Sequence, residues 1–423
     1  MKFSNPIYPM VFQLLMRLAF TLGFFILIDF YVQHAFFQVL GNKPAVKWGF
    51  WSVNIFMYLG LASVMAVYVF DRGSVPRNLG YWFGSFMLVL YVPKMLMGAG
   101  LLLEDVFRLG TWITNKVGSP EEPYPLGRRK FISQGVMALA AIPFAGMIYG
   151  IVKGRYAFKI RKVQVPVQGL PAAFNGFTIT QLSDIHIGSF DDKEAVGNAL
   201  QKVKELNSDI VCFTGDLVNT YAEEFDGWDE TFKTLTAAGP VYTILGNHDY
   251  GDYAGWDSPA EKQAHFERMV GTHKRMGWDL LRDEHRWIER DGERIALVGV
   301  ENWGESGFKR YGNLDNALKG TEDAPVRVLL SHDPSHWNAQ TVPNKHQVDL
   351  TLSGHTHGMQ FGVEIPKLGI KFSPVQWRYP QWAGLYNDGG NQHLYVNRGF
   401  GHIGYMGRAG IMPEITVLEL VKA

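Results

Sequence analysis

Residues 49–70 and 131–152 carry no charged side chain, and charges frame both stretches: Lys47 and Asp71 around the first, Lys130 and Lys153 around the second. About 20 apolar residues in a helix cross the ~30 Å hydrocarbon layer of a bilayer. Lipid offers no partner to backbone polar groups, so a continuous apolar run of this length is confined to a helix that satisfies them internally. Two further stretches fit with some internal polarity: 14–37, which holds Arg17 and Asp29, and 80–103, which holds Lys94. Four spans are therefore expected, with residues 1–152 as a transmembrane region and the chain as an integral membrane protein.

Asp29 and Lys94 are costly in lipid unless paired or near water. Either they form an ion pair between helices or line a polar path, or each lies close enough to an interface to snorkel; snorkelling is the preferred reading. Trp48, Trp51, Tyr81 and Trp82 lie near the ends of the stretches, as an interfacial aromatic belt requires. The Lys/Arg distribution is nearly balanced. Lys43, Lys47 and the 108–130 loop argue for one cytoplasmic side, while Lys153, Arg155, Lys159, Arg161 and Lys162 argue for the other. The run Gly127-Arg128-Arg129-Lys130-Phe131-Ile132 before a moderately apolar helix resembles a twin-arginine export signal, here internal to the chain. That tilts the expectation toward a cell inner membrane with everything after Val152 outside the cytoplasm.

Beyond Lys153 charges and turn residues reach ordinary globular density, so 153–169 is expected as a linker and 170–423 as a soluble domain within the 423 residues. A formal net charge of zero, with no basic stripe, argues against nucleic acid as a partner. The one cysteine, Cys212, excludes an internal disulfide and reads as a buried core thiol. Short β runs are expected at 177–184, 210–216, 241–246, 295–300, 326–331, 350–353, 394–397 and 415–420, with helices at 193–206 and 260–276. The alternation suggests a layered α/β sandwich.

Five polar sets fall at the ends of these β runs: Asp184-Ile185-His186, Gly215-Asp216, Gly246-Asn247-His248-Asp249, Ser331-His332-Asp333 and Gly354-His355-Thr356-His357. Strand ends converge in open α/β sheets, so ligands bind there. Along a strand, residues two apart share a side, which pairs Asp184 with His186 and His355 with His357. Aspartate, histidine and asparagine donors without thiolates suit borderline divalent metals such as Mn, Fe, Zn, Co or Ni.

These segments resemble the five blocks of the calcineurin-like metallophosphoesterase superfamily, D-x-H, GD, GNH-(D/E), H and GH-x-H, here of a membrane-anchored bacterial type. The similarity spans Asp184 to His357, is expected to cover the soluble half, and leaves the four helices as an addition. It implies a hydrolase with two divalent ions, one held by Asp184, His186 and His357, the other by Asn247, His332 and His355, with Asp216 bridging through its two carboxylate oxygens. It also implies that His248 contacts the phosphate rather than a metal and that Asp249 orients its ring. Asn219 stands where many relatives carry a second acidic residue after GD, and Asp249 where Glu is frequent.

Arg398, after a β run, reads equally as a phosphate contact or a structural arginine, and His336 and His402 are not expected as ligands. Tyr250, Tyr253, Trp256, Trp377, Tyr379, Trp382 and Tyr386 either wall an apolar pocket, dip into a membrane interface or pack in the core. The expected substrate is a phosphoester, with a lipid-linked one at the membrane leading. A soluble phosphate is second, and a phosphate-binding sensor without turnover is the alternative of another class. The sequence identifies no protein partner.

Overall fold

The computed structural model describes residues 7–70, 77–117, 126–305, 307–344 and 347–423. Asp71, read above as a flanking charge, lies outside them. The chain forms two compact units, Met1–Tyr149 and Gly150–Ala423.

In the first unit, α1 (Ile7–Leu40), α2 (Pro44–Phe70), α3 (Arg77–Val117) and α4 (Leu126–Val152) each contain a stretch long and apolar enough to cross a membrane. This is a membrane protein. The snorkelling expectation is corrected: Lys94 Nζ lies 2.7 Å from Asp29 Oδ1, and both side chains are buried. Asn54 of α2 accepts a second Lys94 hydrogen bond, while the Tyr58 and Tyr91 hydroxyls donate to Asp29 Oδ2. The physical reason is depth. Each charge sits roughly 16–23 Å along its helix from the nearer end of its span, at ~1.5 Å per residue, beyond the reach of its own stem. Trp48 is exposed near the start of α2, whereas Trp51 packs on Phe30 and Phe50, and Trp82 on Phe86.

The second unit contains, in chain order, β1 (Lys159–Val167), β2 (Phe177–Leu182), α5 (Lys193–Glu205), β3 (Ile210–Phe213), α6 (Asp229–Thr236), β4 (Val241–Thr243), α7 (Pro259–Arg275), β5 (Asp279–Leu280), β6 (Glu284–Arg290), β7 (Glu293–Gly299), α8 (Leu314–Leu318), β8 (Arg327–Leu330), β9 (Leu350–Ser353), β10 (Val363–Ile365), β11 (Ile370–Phe372), β12 (Gly384–Asn387), β13 (His393–Val396) and β14 (Glu414–Lys422). One six-stranded sheet runs β1-β14-β2-β3-β4-β5, the other β12-β13-β9-β8-β7-β6, and β10 and β11 form a separate ribbon. The segment expected as a linker holds β1, which pairs with β14 along its whole length. Its Val163, Val165 and Val167 point inward at every second position, the period of a half-buried strand.

Apolar side chains of both sheets meet between them: Ile179, Cys212 and Ile244 from one, Leu297, Val328, Leu330 and Leu352 from the other. Cys212 is thus a buried thiol, pushed up in pKa by burial. On the outer face of the first sheet lie Val196, Leu200, Phe232, Leu235 and Met269 of α5, α6 and α7; Leu314, Ala317 and Leu318 of α8 cover the second. This is a four-layer α/β sandwich. The parallel strands β2, β3 and β4, and likewise β8 and β9, carry the polar loops at their C-terminal ends.

Candidate metal centre

Each of the five polar sets leaves a short apolar strand and turns at once, and the turn brings the side chains together. Asp184, His186, Asp216, His355 and His357 all take left-handed backbone conformations, with φ between 47° and 69°. For non-glycine residues this is strained, and such strain gathers at functional sites. Two glycines make the approach feasible: a Cβ on Gly246 would overlap the Asp216 carboxylate, and one on Gly354 would overlap Ser183 and the Asp184 carboxylate.

Among the described residues, three overlapping groups could hold a cation: Asp184, His186 and His357; His186, Asp216 and His248; and Asp216, His332 and His355, each with donor atoms within 4.8 Å of one another. Asn247 joins the third, its Oδ1 lying 3.1 Å from His332 Nε2 and 2.8 Å from His355 Nδ1. All seven residues named as ligands from the sequence therefore converge, with His248 beside them.

The outward hydrogen bonds determine what faces inward. His186 Nδ1 donates to the Val218 carbonyl at 3.1 Å and His332 Nδ1 to the Thr214 carbonyl at 2.7 Å, which leaves the Nε2 side of each ring to face the cluster. Asn247 Nδ2 donates to the Tyr253 hydroxyl at 2.9 Å, turning its Oδ1 inward. His355 Nε2 donates to the Tyr379 hydroxyl at 2.9 Å, and that hydroxyl reaches Asp333 Oδ2 at 3.3 Å, so Nδ1 is the inward atom. Outer partners of this kind orient metal-binding imidazoles. His357 differs: Arg408 Nη2 lies 3.1 Å from its Nδ1, which places the ring proton on Nε2, 3.3 Å from Asp184 Oδ1. Ligation there must displace a proton, and so it must at His332, which against its burial the Asp216 and Asp184 carboxylates push up to about 10.

Burial holds His186 down at about 3 and His355 at about 4, so both rings are neutral as ligation requires. Burial works against ionisation of Asp216, yet His332 and the other imidazoles hold its carboxyl well below the usual range. The Nε2 atoms of His186 and His357 are buried without a hydrogen-bond partner. Inward lone pairs, buried carboxylates and orphaned nitrogens fit divalent cations.

Several expectations change in detail. Asp216 lies between the halves, its Oδ2 3.5 Å from His186 Nε2 and 3.1 Å from His332 Nε2, while Oδ1 accepts the His248 amide at 2.9 Å. Asp249 does not hold the His248 ring. Its carboxylate accepts the backbone N–H groups of Asp216, Leu217, Val218 and Gly246, and the His248 Nδ1 instead donates to the Asn219 carbonyl at 2.6 Å. That backbone contact also explains why Asn219 needs no acidic side chain for this purpose. Arg398 is structural, buried between Glu364 and Glu414 at 2.6 and 2.5 Å. His336 is held by Ser331 and Gln340, and His402 packs on Phe190.

The aromatic set divides. Tyr250, stacked on Tyr311, and Trp382 are buried, Tyr386 braces the Trp382–Ala383 backbone, and Trp256 bonds Gly251. Tyr253 and Tyr379 reach the centre, while Trp377 stands exposed. Sequence reasoning missed Arg408 as a neighbour of the cluster, and although it named Tyr379 among the aromatics and Asp333 in the fourth polar set, it placed neither against His355. The Asp333 that follows His332 was visible, but nothing in the chain pointed it at His355.

Residues 177–359 match the family described as "Calcineurin-like phosphoesterase", and residues 16–155 match "Probable Calcineurin-like phosphoesterase, transmembrane domain". The chain belongs to the calcineurin-like phosphoesterases. Within this family it is similar to a "Transmembrane protein with metallophosphoesterase domain" of Danio rerio, 30% identical over 287 residues, 65% of this chain and 60% of the relative's length. It is also similar to "Uncharacterized metallophosphoesterase YkuE" of Bacillus subtilis, 28% identical over 70% of this chain and 98% of that protein. "Phosphodiesterase YaeI" of Escherichia coli is 29% identical over 58% of this chain and 82% of that protein.

Proposed function

We propose that this calcineurin-like phosphoesterase hydrolyses a phosphoester with two divalent ions, one of which Asp184, His186 and His357 would hold and the other Asn247, His332 and His355, with Asp216 shared by both. The observation that carries this reading is the convergence of seven donors from five strand ends, four of them with inward atoms fixed by outward hydrogen bonds. Such ions, when bound, polarise phosphoryl oxygens and lower the pKa of water. The neutral Asn247 amide supplies a hard donor without adding negative charge, which keeps the site attractive to an anionic phosphate.

His248 is the acid. The Asn219 carbonyl fixes its Nδ1 proton and leaves Nε2 to donate, in the imidazolium form, to the leaving oxygen. Asp249 acts at one remove, holding the Asp216 loop and the Gly246 amide in place. The substrate class is a phosphoester carried on or beside a bilayer, met on the extracytoplasmic side; an export-sensitive reporter fused after Ala423 reads that side.

The test is turnover of bis-p-nitrophenyl phosphate by the full chain in detergent, with Mn²⁺ or after chelation. The full chain is the proper material because β1 begins at Lys159, close behind the last helix. Metal-dependent turnover that Asp216→Asn abolishes supports the mechanism, and comparison with phosphatidyl or sugar-nucleotide lipids then ranks substrates. Absence of turnover on all of them with metal bound would favour a phosphate-binding sensor.

A further inference from the structure

The β10–β11 ribbon is amphipathic in the reverse of the usual sense. Its register pairs Val363 with Phe372, Glu364 with Lys371 and Ile365 with Ile370. Side chains alternate across a strand, so Val363, Ile365, Ile370 and Phe372 share one face and Glu364 and Lys371 the other. The polar face is the one turned to the body of the unit: Glu364 pairs with Arg398 at 2.6 Å and Arg161 at 2.7 Å, and Lys371 bonds the Ala383 carbonyl and the Tyr386 hydroxyl. The four apolar side chains are exposed. At the turn Leu368 is 69% exposed, and Trp377, edge-on to Phe372, is 79% exposed. A contiguous apolar surface of this kind marks an interaction site.

Three observations select the partner. The chain carries four helices long and apolar enough to cross a membrane, so a bilayer is always at hand. The ribbon's base is tied to the segment that opens the second unit: within that unit the Arg408 amide donates to the Gly150 carbonyl, and the next residue, Ala409, accepts the Gly362 amide just before β10. Exposed tryptophan with leucine and isoleucine, bordered by Lys367 and Arg378, is the composition that settles at headgroup level, where basic side chains meet lipid phosphates.

We infer that the β10–β11 ribbon is a membrane-docking element, seating Leu368, Trp377 and the Val363–Ile365–Ile370–Phe372 face in the interfacial layer of the bilayer. The turn His357–Gln360 leads into this ribbon, so docking presents the His357 side of the centre to phosphates at the lipid surface. That consequence for substrate rests on the hydrolytic reading; the docking does not.

The test reads position rather than turnover. Cys212 is fully buried, so a full-length Leu368→Cys variant can be labelled at one site with an environment-sensitive fluorophore and reconstituted into liposomes of anionic and zwitterionic phospholipid. Brominated acyl chains are expected to quench this label about two-fold or more, as they do groups seated at the acyl boundary. A label at Glu230→Cys, on a polar helix surface, is the reference and is expected to change little. Adding Phe372→Asp and Trp377→Ser to Leu368→Cys is expected to abolish the quenching. Quenching at position 368 no greater than at position 230 overturns the inference, as does quenching that survives the added substitutions, which would trace insertion to the fluorophore. Efficient disulfide formation between the introduced thiols of two Leu368→Cys chains, without lipid quenching, would assign the face to a second copy and overturn it equally.

Discussion

Asp249→Asn removes a charge while keeping the side chain's shape, and it separates two roles for this residue. The Asp249 carboxylate is fully buried and accepts four backbone amides: Asp216 and Gly246 on Oδ2, both at 2.9 Å, and Leu217 and Val218 on Oδ1, at 2.8 and 3.3 Å. In asparagine one of these oxygens becomes an NH2 group, which can accept nothing, so one pair of bonds is lost and faces a second donor. Hydrogen bonds to a charged acceptor contribute about 1.5–3 kcal/mol each, so the loss is about 3–6 kcal/mol. At about 2 °C per kcal/mol for a domain of this size, the second unit should melt about 6–12 °C lower. Near-ultraviolet circular dichroism of the full chain in detergent, scanned at one rate for variant and parent, measures it. The loosened Asp216 loop should also weaken Mn²⁺ binding. A melting point within about 2 °C of the parent, with unchanged Mn²⁺ binding and only the pH profile of turnover altered, would refute this account and return Asp249 to the His248 ring.

His248→Ala should lower kcat by about 10²-fold or more with metal content unchanged, as loss of a general acid does; turnover and elemental analysis check the pair. Tyr379→Phe removes the hydroxyl joining His355 to Asp333 and should weaken one of the two metal affinities by about 10-fold, read by calorimetric titration. In the membrane unit, Lys94→Met strands the buried Asp29 carboxylate at a cost of about 3–5 kcal/mol, whereas Lys94→Met with Asp29→Asn should recover most of it, seen in thermal aggregation in detergent. Mn²⁺ at about 100 times its Kd should stabilise the second unit by about 2.7 kcal/mol over the chelated protein; an unshifted melting point would deny a folded-state metal site.

Local pattern made the larger features legible. Charge-free stretches can only be helices in lipid, and all four expected spans correspond to helices. The strands that were foreseen are mostly buried, as Leu350–Ser353 is throughout, where every residue is apolar or small. Those missed lie at edges: Glu284–Arg290 is mostly polar because one side meets water, and Asp279–Leu280 is too short for a period to show. The overlooked β1 carried a valine at every second position from Val163, but the basic side chains before it, Lys159, Arg161 and Lys162, hid it.

What the sequence determined by itself was the inventory of chemistry: which donors exist, and that each follows a β run where a turn can expose it. Which atom faces which was settled by packing. Asp29 meets Lys94 across 65 residues, His357 meets Arg408 across 51, and Asp249 meets the Asp216 amide across 33. No local preference encodes such pairings. They follow from strand order and helix packing, which set the positions first and leave each buried polar atom to bond with what lies within about 3 Å, because an unpaired one costs about 1–3 kcal/mol.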